Sequence, residues 1–412
     1  MKESGIEWVG SIPDTWDVIP NKYIMHKEKN LCEKWTGEDV MSLTMNGVIV
    51  RDLQNPTGKM PATFDGYQYI EDGDLLMCLF DIDVTPRCIG KVTHNGVTSP
   101  AYSNFKTHDN ASRDYYYYYY LMVDNTKELL HLAKNLRHSF TEEQLGSLKV
   151  PMPPLTEQQV IADYLNEKCS KIDDIIAEAN ASVEEYKELK QAVIDNATMT
   201  GIHDSEMKYT DYVWFPEMPK SWNLVLASLL FREDVRPIDA NDVSLSLSQV
   251  DGLIPTDDMS ERSLKSATHD NWKHVIPDDL VLNRFKGHLG VFFASKYTGM
   301  VSFHYGVYHA IRDDVYAKYY EYLFHSTTYK NIFALKSNGI TVGLQNLSNG
   351  NFYSVKILHP TLDEQIEIVK YLDKRTAEID SLIAEKESLI KDLESYKKSL
   401  IYEVVTGKRR VV

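Results

Sequence analysis

LTEQQVIADYLNEKCSKIDDIIAEANASVEEYKELKQAVIDNATMTG, residues 155–201, has a second copy in LDEQIEIVKYLDKRTAEIDSLIAEKESLIKDLESYKKSLIYEVVTG, residues 362–407. Leu155, Glu157, Gln158, Ile161, Tyr164 and Leu165 meet Leu362, Glu364, Gln365, Ile368, Tyr371 and Leu372 at a spacing of 207. Ile172, Asp173 and Ile176 meet Ile379, Asp380 and Ile383 at the same spacing, and the closing Thr-Gly pairs are 206 apart. A repeat that is near half the chain means two copies of one unit.

Each copy reads as one long helix. Leu165, Cys169, Ile172, Ile176, Ala179, Val183, Tyr186, Lys190 and Val193 alternate spacings of four and three. The second track is Leu372, Thr376, Ile379, Ile383, Lys386, Ile390, Leu393, Lys397 and Leu400. Such a seam, with Leu165, Ile172, Ile176, Val183, Val193, Leu372, Ile379, Ile383, Ile390, Leu393 and Leu400 as its apolar members, asks for a partner helix. Pro154 and Pro360 stand before the helices, and Gly201 and Gly407 just past them, as start and stop chemistry requires. At about 1.5 Å per residue each rod is roughly 65–70 Å long. Two equal rods separated by a whole domain suit each other better than they suit separate globular cores.

The repeat extends upstream. Trp8, Ile12, Pro13 and Trp16 match Trp214, Met218, Pro219 and Trp222, so the units run from 8 to 201 and from 214 to 407. Between opening and helix, short β-like runs share a framework with drifting offsets and loops of different length. The two regions therefore need not do the same thing. The six tyrosines Tyr115–Tyr120 and their counterparts Tyr316, Tyr319, Tyr320 and Tyr322 tempt a base-stacking reading. Consecutive positions cannot all face one ligand, so packing is the better reading, with Leu129, Leu132 and Leu136 as a core stripe.

The 412 residues allow two or three domains, and 43% hydrophobic with 25% charged residues is a globular composition. Cys32, Cys78, Cys88 and Cys169 form no CxxC pair and read as buried, reduced thiols, expected in a cytoplasmic protein. No run suits a membrane span and no signal pattern opens the chain. The net charge of −16 is uneven: residues 155–200 carry ten acidic against four basic side chains, and 361–405 eleven against seven. An acidic rod beside less acidic domains keeps DNA off the rod and on the domains.

Catalytic signatures are missing from the sequence. It has no phosphate-binding loop, no G-x-G-x-x-G after a strand, no HExxH, no G-x-S-x-G and no Asn-Pro-Pro-aromatic tetrapeptide. His131 with His138, and His304 with His309, read as structural or surface residues, so no metal and no cofactor is expected. What remains is a binding protein. Cations and amides in loops are the candidates for phosphates and base edges. In the first region these are Arg51, Lys59, Arg87, Lys91, Asn104, Lys106 and Arg113. In the second they are Arg262, Lys265, Lys273, Arg284, Lys286, His288, Lys296 and Asn338. The densest group is Arg284, Lys286 and His288 in NRFKGHLG, where Gly287 and Gly290 allow close approach to a groove.

The openings WVGSIPDTW and WFPEMPKSW, the junctions PMPPLTEQQVIADYL and LHPTLDEQIEIVKYL, and the closings TMTG and VVTG together resemble the specificity subunit of type I restriction-modification systems over essentially the full length. Met218 for Ile12 and His359 for Met152 are the departures between copies. The resemblance implies an α+β protein in which two α/β target recognition domains alternate with two conserved spacer helices paired as an antiparallel coiled coil, a pseudo-twofold internal repeat. The segments would be 1–154, 155–201, 202–360 and 361–412 with its tail. It further implies that each domain reads one half of a bipartite, asymmetric site in double-stranded DNA. Two adenine methyltransferase subunits, which hold the S-adenosylmethionine, would dock on the conserved regions, and motor-nuclease subunits complete the complex. The chain itself would be non-catalytic. The alternatives are a single-chain DNA-acting enzyme and a helical adaptor without a nucleic-acid role.

Overall fold

The computed structural model describes residues 1–56, 60–85, 87–133, 139–239, 241–248, 252–259, 271–337 and 346–411, without the His288 side chain. Leu136 and His138 lie outside the described residues. The chain divides into two compact units, Met1–Asn180 with Ser388–Val412, and Ala181–Glu387. Each unit therefore combines one recognition region with one end of each long helix, a division that cuts across the four segments expected from the repeat.

The long helices are Leu155–Thr200 and Leu362–Val405. Both lack interior Gly and Pro, and both end on a glycine in the left-handed region, Gly201 at φ +80° and Gly407 at φ +69°. Their amide groups reach back into the last turn, from Gly201 to the Ala197 carbonyl and from Gly407 to that of Val404. The starts differ. Thr361 and Glu364 form a reciprocal cap on the second helix. The first has Pro154 at that place, and its carbonyl accepts from the Glu157 and Gln158 amides.

The helices pack antiparallel within each unit. In the first, Leu165, Cys169 and Ile172 join one core with Leu400, Ile401, Val404 and Val405, while Asp173 meets Lys397 at 2.6 Å. In the second, Ile194 and Ala197 share a core with Ile368, Val369 and Leu372, while Lys190 meets Asp380 at 2.7 Å. The two bridges are made by repeat counterparts. Leu165, Ile172, Val183, Leu372, Ile379 and Leu400 are buried. Ile176, Val193, Ile383, Ile390 and Leu393 are half-buried. An exposed bridge contributes at most about 1 kcal/mol, whereas each fully buried Leu or Ile contributes about 1.5–3, so the apolar seam dominates.

Each recognition region is built on an antiparallel four-stranded sheet. In the first unit the order is Met25–Glu28, Ser103–Thr107, Leu75–Met77, Ile89–Lys91. In the second it is Phe231–Glu233, Tyr305–Ala310, Leu280–Asn283, Phe292–Ala294, the same order in repeat counterparts. A second sheet in the first unit joins Val40–Thr44 in parallel to Gly96–Thr98. In the second unit the corresponding link is the single parallel bridge Ser244 to Met300. Among the described residues no helix is long and apolar enough to cross a membrane.

The tyrosine run lies on the helix Arg113–Asn125. Tyr115, Tyr116, Tyr118, Tyr119 and Tyr120 are all buried. Four of the hydroxyls find partners: Tyr115 donates to the Val405 carbonyl, Tyr116 to that of Pro151, Tyr118 to Asn166 Oδ1, and Tyr119 accepts from Trp8 Nε1. Burial pushes the Tyr115 and Tyr120 phenols well above their ordinary range. The run is a packing pillar in which four buried hydroxyls are satisfied and, among the described residues, that of Tyr120 has no partner.

A Cβ at Gly407 would stand 2.4 Å from Pro13 Cδ, whereas one at Gly201 would be 3.4 Å from the Trp222 ring. Gly407→Ala should therefore lower stability by about 2–3 kcal/mol and Gly201→Ala by about 1, read from urea melts of the full chain. Equal losses would refute the steric argument.

Burial, with Lys330 and Lys318 near, pushes the His325 imidazole from 6.5 down to about 3. Between those values the unfolded chain binds the extra proton, so this contribution is complete above pH 6.5 and declines as pH falls. His325→Gln should flatten the fall of Tm on acidification; an unaltered slope would place the acid sensitivity elsewhere.

Candidate nucleic-acid interface

The Gln of each Leu-x-Glu-Gln junction is wholly buried. Gln158 Oε1 accepts from the Ser112 amide at 2.7 Å, and its Nε2 donates to the Pro153 carbonyl at 2.8 Å. Ser112 is the N-cap of the tyrosine helix. In the second unit Gln365 Oε1 accepts from the Tyr316 amide at 2.8 Å, and Nε2 donates to the carbonyls of Asp314 and Pro360. Tyr316 caps the helix Ala317–Phe324. One amide side chain thus ties the start of the recognition-region helix to the root of a long helix.

A tyrosine closes the other end of the same joint. Tyr115 donates to the Val405 carbonyl at 2.9 Å, and Tyr319 to the Thr198 carbonyl at 3.3 Å. Last-turn carbonyls have no partner inside their own helix, so a side-chain donor is the natural cap. The paired Trp does differ between units. Trp222 Nε1 donates to Glu364 at 3.3 Å. Among the described residues Trp16 Nε1 has no acceptor, and Pro13, Trp16, Glu157 and Arg410 border a cleft of about 430 Å³. The matching cavity beside Trp222 holds about 10 Å³.

The candidate DNA contacts fall into distinct places. Arg87 Nη1 donates to the Met45 carbonyl at 2.7 Å, and the Arg51 charge acts on Tyr102. Leu43, Met45, Phe80, Val84, Arg87 and Tyr102 border one pocket of about 300 Å³, which Arg87 therefore reaches. Lys91 pairs with Asp114 at 3.4 Å, and Lys106 with Glu71 at 2.8 Å. Asn104 is a correction. It is 1% exposed, and its Nδ2 donates to Asp74 inside the sheet, so it cannot reach a base edge.

In the second unit Arg284 is also corrected. Its Nη2 donates to Glu233 at 2.5 Å and to Asn349 Oδ1 at 2.8 Å, and Lys273 joins the same Glu233 at 2.6 Å. These cations hold Glu233 below the usual carboxylate range against its own burial. Lys286 and Lys296 are exposed. Lys59, Arg262, Lys265 and Asn338, with the His288 side chain, lie outside the described residues.

The model of the type I restriction modification DNA specificity domain matches residues 82–185 and 255–392. The chain belongs to that family. Both matched stretches run from a recognition region across the junction into the long helix, so the Gln and Tyr fastenings lie within or beside them. The fold is similar to a chain from a structure of complex assembly and conformational transition in the type I R-M system: TM-score 0.69, 12% identity, covering 97% of this chain and 100% of that one. It is also similar to the HsdS subunit from Thermoanaerobacter tengcongensis, with TM-score 0.53 and 13% identity over 99% of this chain and 100% of that one. At such identities the likeness is one of fold. Between the two copies of this type I specificity-family chain, the joints are alike.

Replacing Gln365 by Leu keeps the volume but strands the Tyr316 amide and the Asp314 and Pro360 carbonyls away from water. Each buried polar group left unpaired costs about 1–3 kcal/mol. Urea melts of Gln365→Leu should show a loss of about 2–4 kcal/mol, with Gln365→Glu intermediate; a neutral Gln365→Leu would show that the amide is dispensable.

Proposed function

We infer that this chain is the non-catalytic DNA-recognition subunit of a cytoplasmic type I restriction-modification complex. Each recognition region reads one half of a bipartite, asymmetric site. The paired helices set the spacer between the halves and carry two adenine methyltransferase subunits, which hold the S-adenosylmethionine. Motor-nuclease subunits complete the restriction form.

The observation that carries this reading is the duplicated joint. The same buried Gln and the same helix-capping Tyr fasten both regions, while the loops that the two sheets present are different. A fixed mounting with dissimilar heads suits two half-sites of unrelated sequence. Half-sites near one helical turn apart, roughly 34 Å, are within the span of a rod of roughly 65–70 Å. The acidic helices and the cation-bearing loops support DNA on the regions rather than on the rods.

Mapping methylated adenines in the host genome with and without this gene tests the assignment. One bipartite motif should vanish on deletion, and exchanging residues 202–360 for a foreign region should rewrite one half of it alone. Inserting seven residues in both helices lengthens each by about 10 Å and should widen the spacer by about three base pairs. A methylation map indifferent to the gene would reject the reading. S-adenosylmethionine binding or nuclease activity by the isolated chain would instead favour a single-chain enzyme.

A further inference from the structure

The connection between the strands Leu280–Asn283 and Phe292–Ala294 is stiff. A Cβ at Gly287 would stand 2.5 Å from Leu347 Cβ, and one at Gly290, at φ +65°, would meet the Phe324 carbonyl oxygen at 2.5 Å. The Leu347 amide donates to the Arg284 carbonyl at 3.2 Å. Beneath it Arg284, Lys273, Glu233 and Asn349 close an ion-paired network, which Tyr308 joins through Asn349 at 2.8 Å.

The outward side of this stiff loop is apolar. Phe285 is 39% exposed, and Phe303, across from it, 51%. His304 lies between them, its ring 5.1 Å from that of Phe285 and 3.8 Å from that of Phe303. Lys286 is exposed beside them, and neither residues 283–291 nor 302–305 contain an acid. A pinned loop cannot fold such rings away from water, so a partner is the economical explanation for them. The corresponding connection in the first unit differs: Val84 is 73% exposed near Arg87, and Met45 is 61% exposed on the hairpin that Arg87 reaches, but Asp81 and Asp83 are exposed on the same connection.

We propose that Phe285 and Phe303 are specificity-determining residues of the second recognition region, packing on the 5-edge of pyrimidines in the major groove while Lys286 takes a neighbouring phosphate. The assignment rests on the function inferred above. Local charge favours DNA: Lys286 stands at the rim, and residues 283–291 and 302–305 carry no carboxylate to oppose a phosphate. Aromatic and apolar side chains discriminate thymine through its methyl group, whereas a lysine on phosphate positions without reading.

The test uses the complex of the full chain with its methyltransferase subunits, on oligonucleotides degenerate at each position of its mapped site. Phe303→Ala should relax preference at one or two adjacent base pairs of one half-site by about tenfold and leave the other half unaltered. Where the affected pyrimidine is thymine, uracil should reproduce the loss in the wild type and add nothing in the variant. Lys286→Ala should weaken all sequences equally and reduce the salt slope by about one. Should Phe303→Ala fold poorly, Phe285→Ala carries the same measurement. A wild-type complex without sequence preference would overturn the function itself. A wild type that reads its site while Phe303→Ala and Phe285→Ala read it identically would overturn this assignment alone. Dissociation of a methyltransferase subunit with the base profile intact would also overturn it, and would make the patch a protein contact.

Discussion

A side-chain amide removed from water must find both an acceptor and a donor, and Gln158 and Gln365 do so across the same kind of joint. The oxygen takes the amide of a recognition-region helix cap. The nitrogen gives to a proline carbonyl at the root of a long helix and, in the second unit, also to the Asp314 carbonyl of the recognition region. The orientation of each region on its rod depends on this pair of bonds. Val and Ile packing is tolerant of small rotations; a hydrogen-bonded amide is directional, and a tyrosine hydroxyl on a last-turn carbonyl adds a second fixed point.

Around that common joint the two copies have diverged in how they satisfy their polar groups. Thr361 lets Glu364 cap its helix and also receive the Trp222 indole N–H. Pro154 offers no hydroxyl, and among the described residues the counterpart indole of Trp16, next to an open cleft, has no acceptor. Duplication copied the backbone arrangement, but a single residue changed which side chains could complete it.

The recognition regions follow a different logic. Their sheets share strand order, and their central strands Leu75–Met77 and Leu280–Asn283 are buried almost throughout. Their polar side chains are partly consumed inside: Arg284 and Lys273 neutralise a half-buried Glu233, and Asn104 satisfies Asp74. What is left outward on the second unit's connection is the cation Lys286 beside the apolar rings of Phe285 and Phe303. A surface of that kind combines attraction to phosphate, which is insensitive to sequence, with close contact at base edges, which is not.

The sequence by itself determined the rods. Heptad spacing, absence of Gly and Pro, and the terminal glycines place helices from Leu155 and Leu362, and they end at Thr200 and Val405, one and two residues short of those glycines. These signals are local or repeat at fixed spacing, so they are legible in one dimension. The tyrosines as packing residues followed from the same periodic argument. The tertiary structure alone decided which cations are free. Asn104 meets a partner 30 residues away and Arg284 one 51 residues away, in pairs that no spacing rule announces. The exposed rings of Phe285 and Phe303 were equally hidden in the sequence, because an aromatic beside glycine reads as core until the fold shows which face of the loop the core occupies.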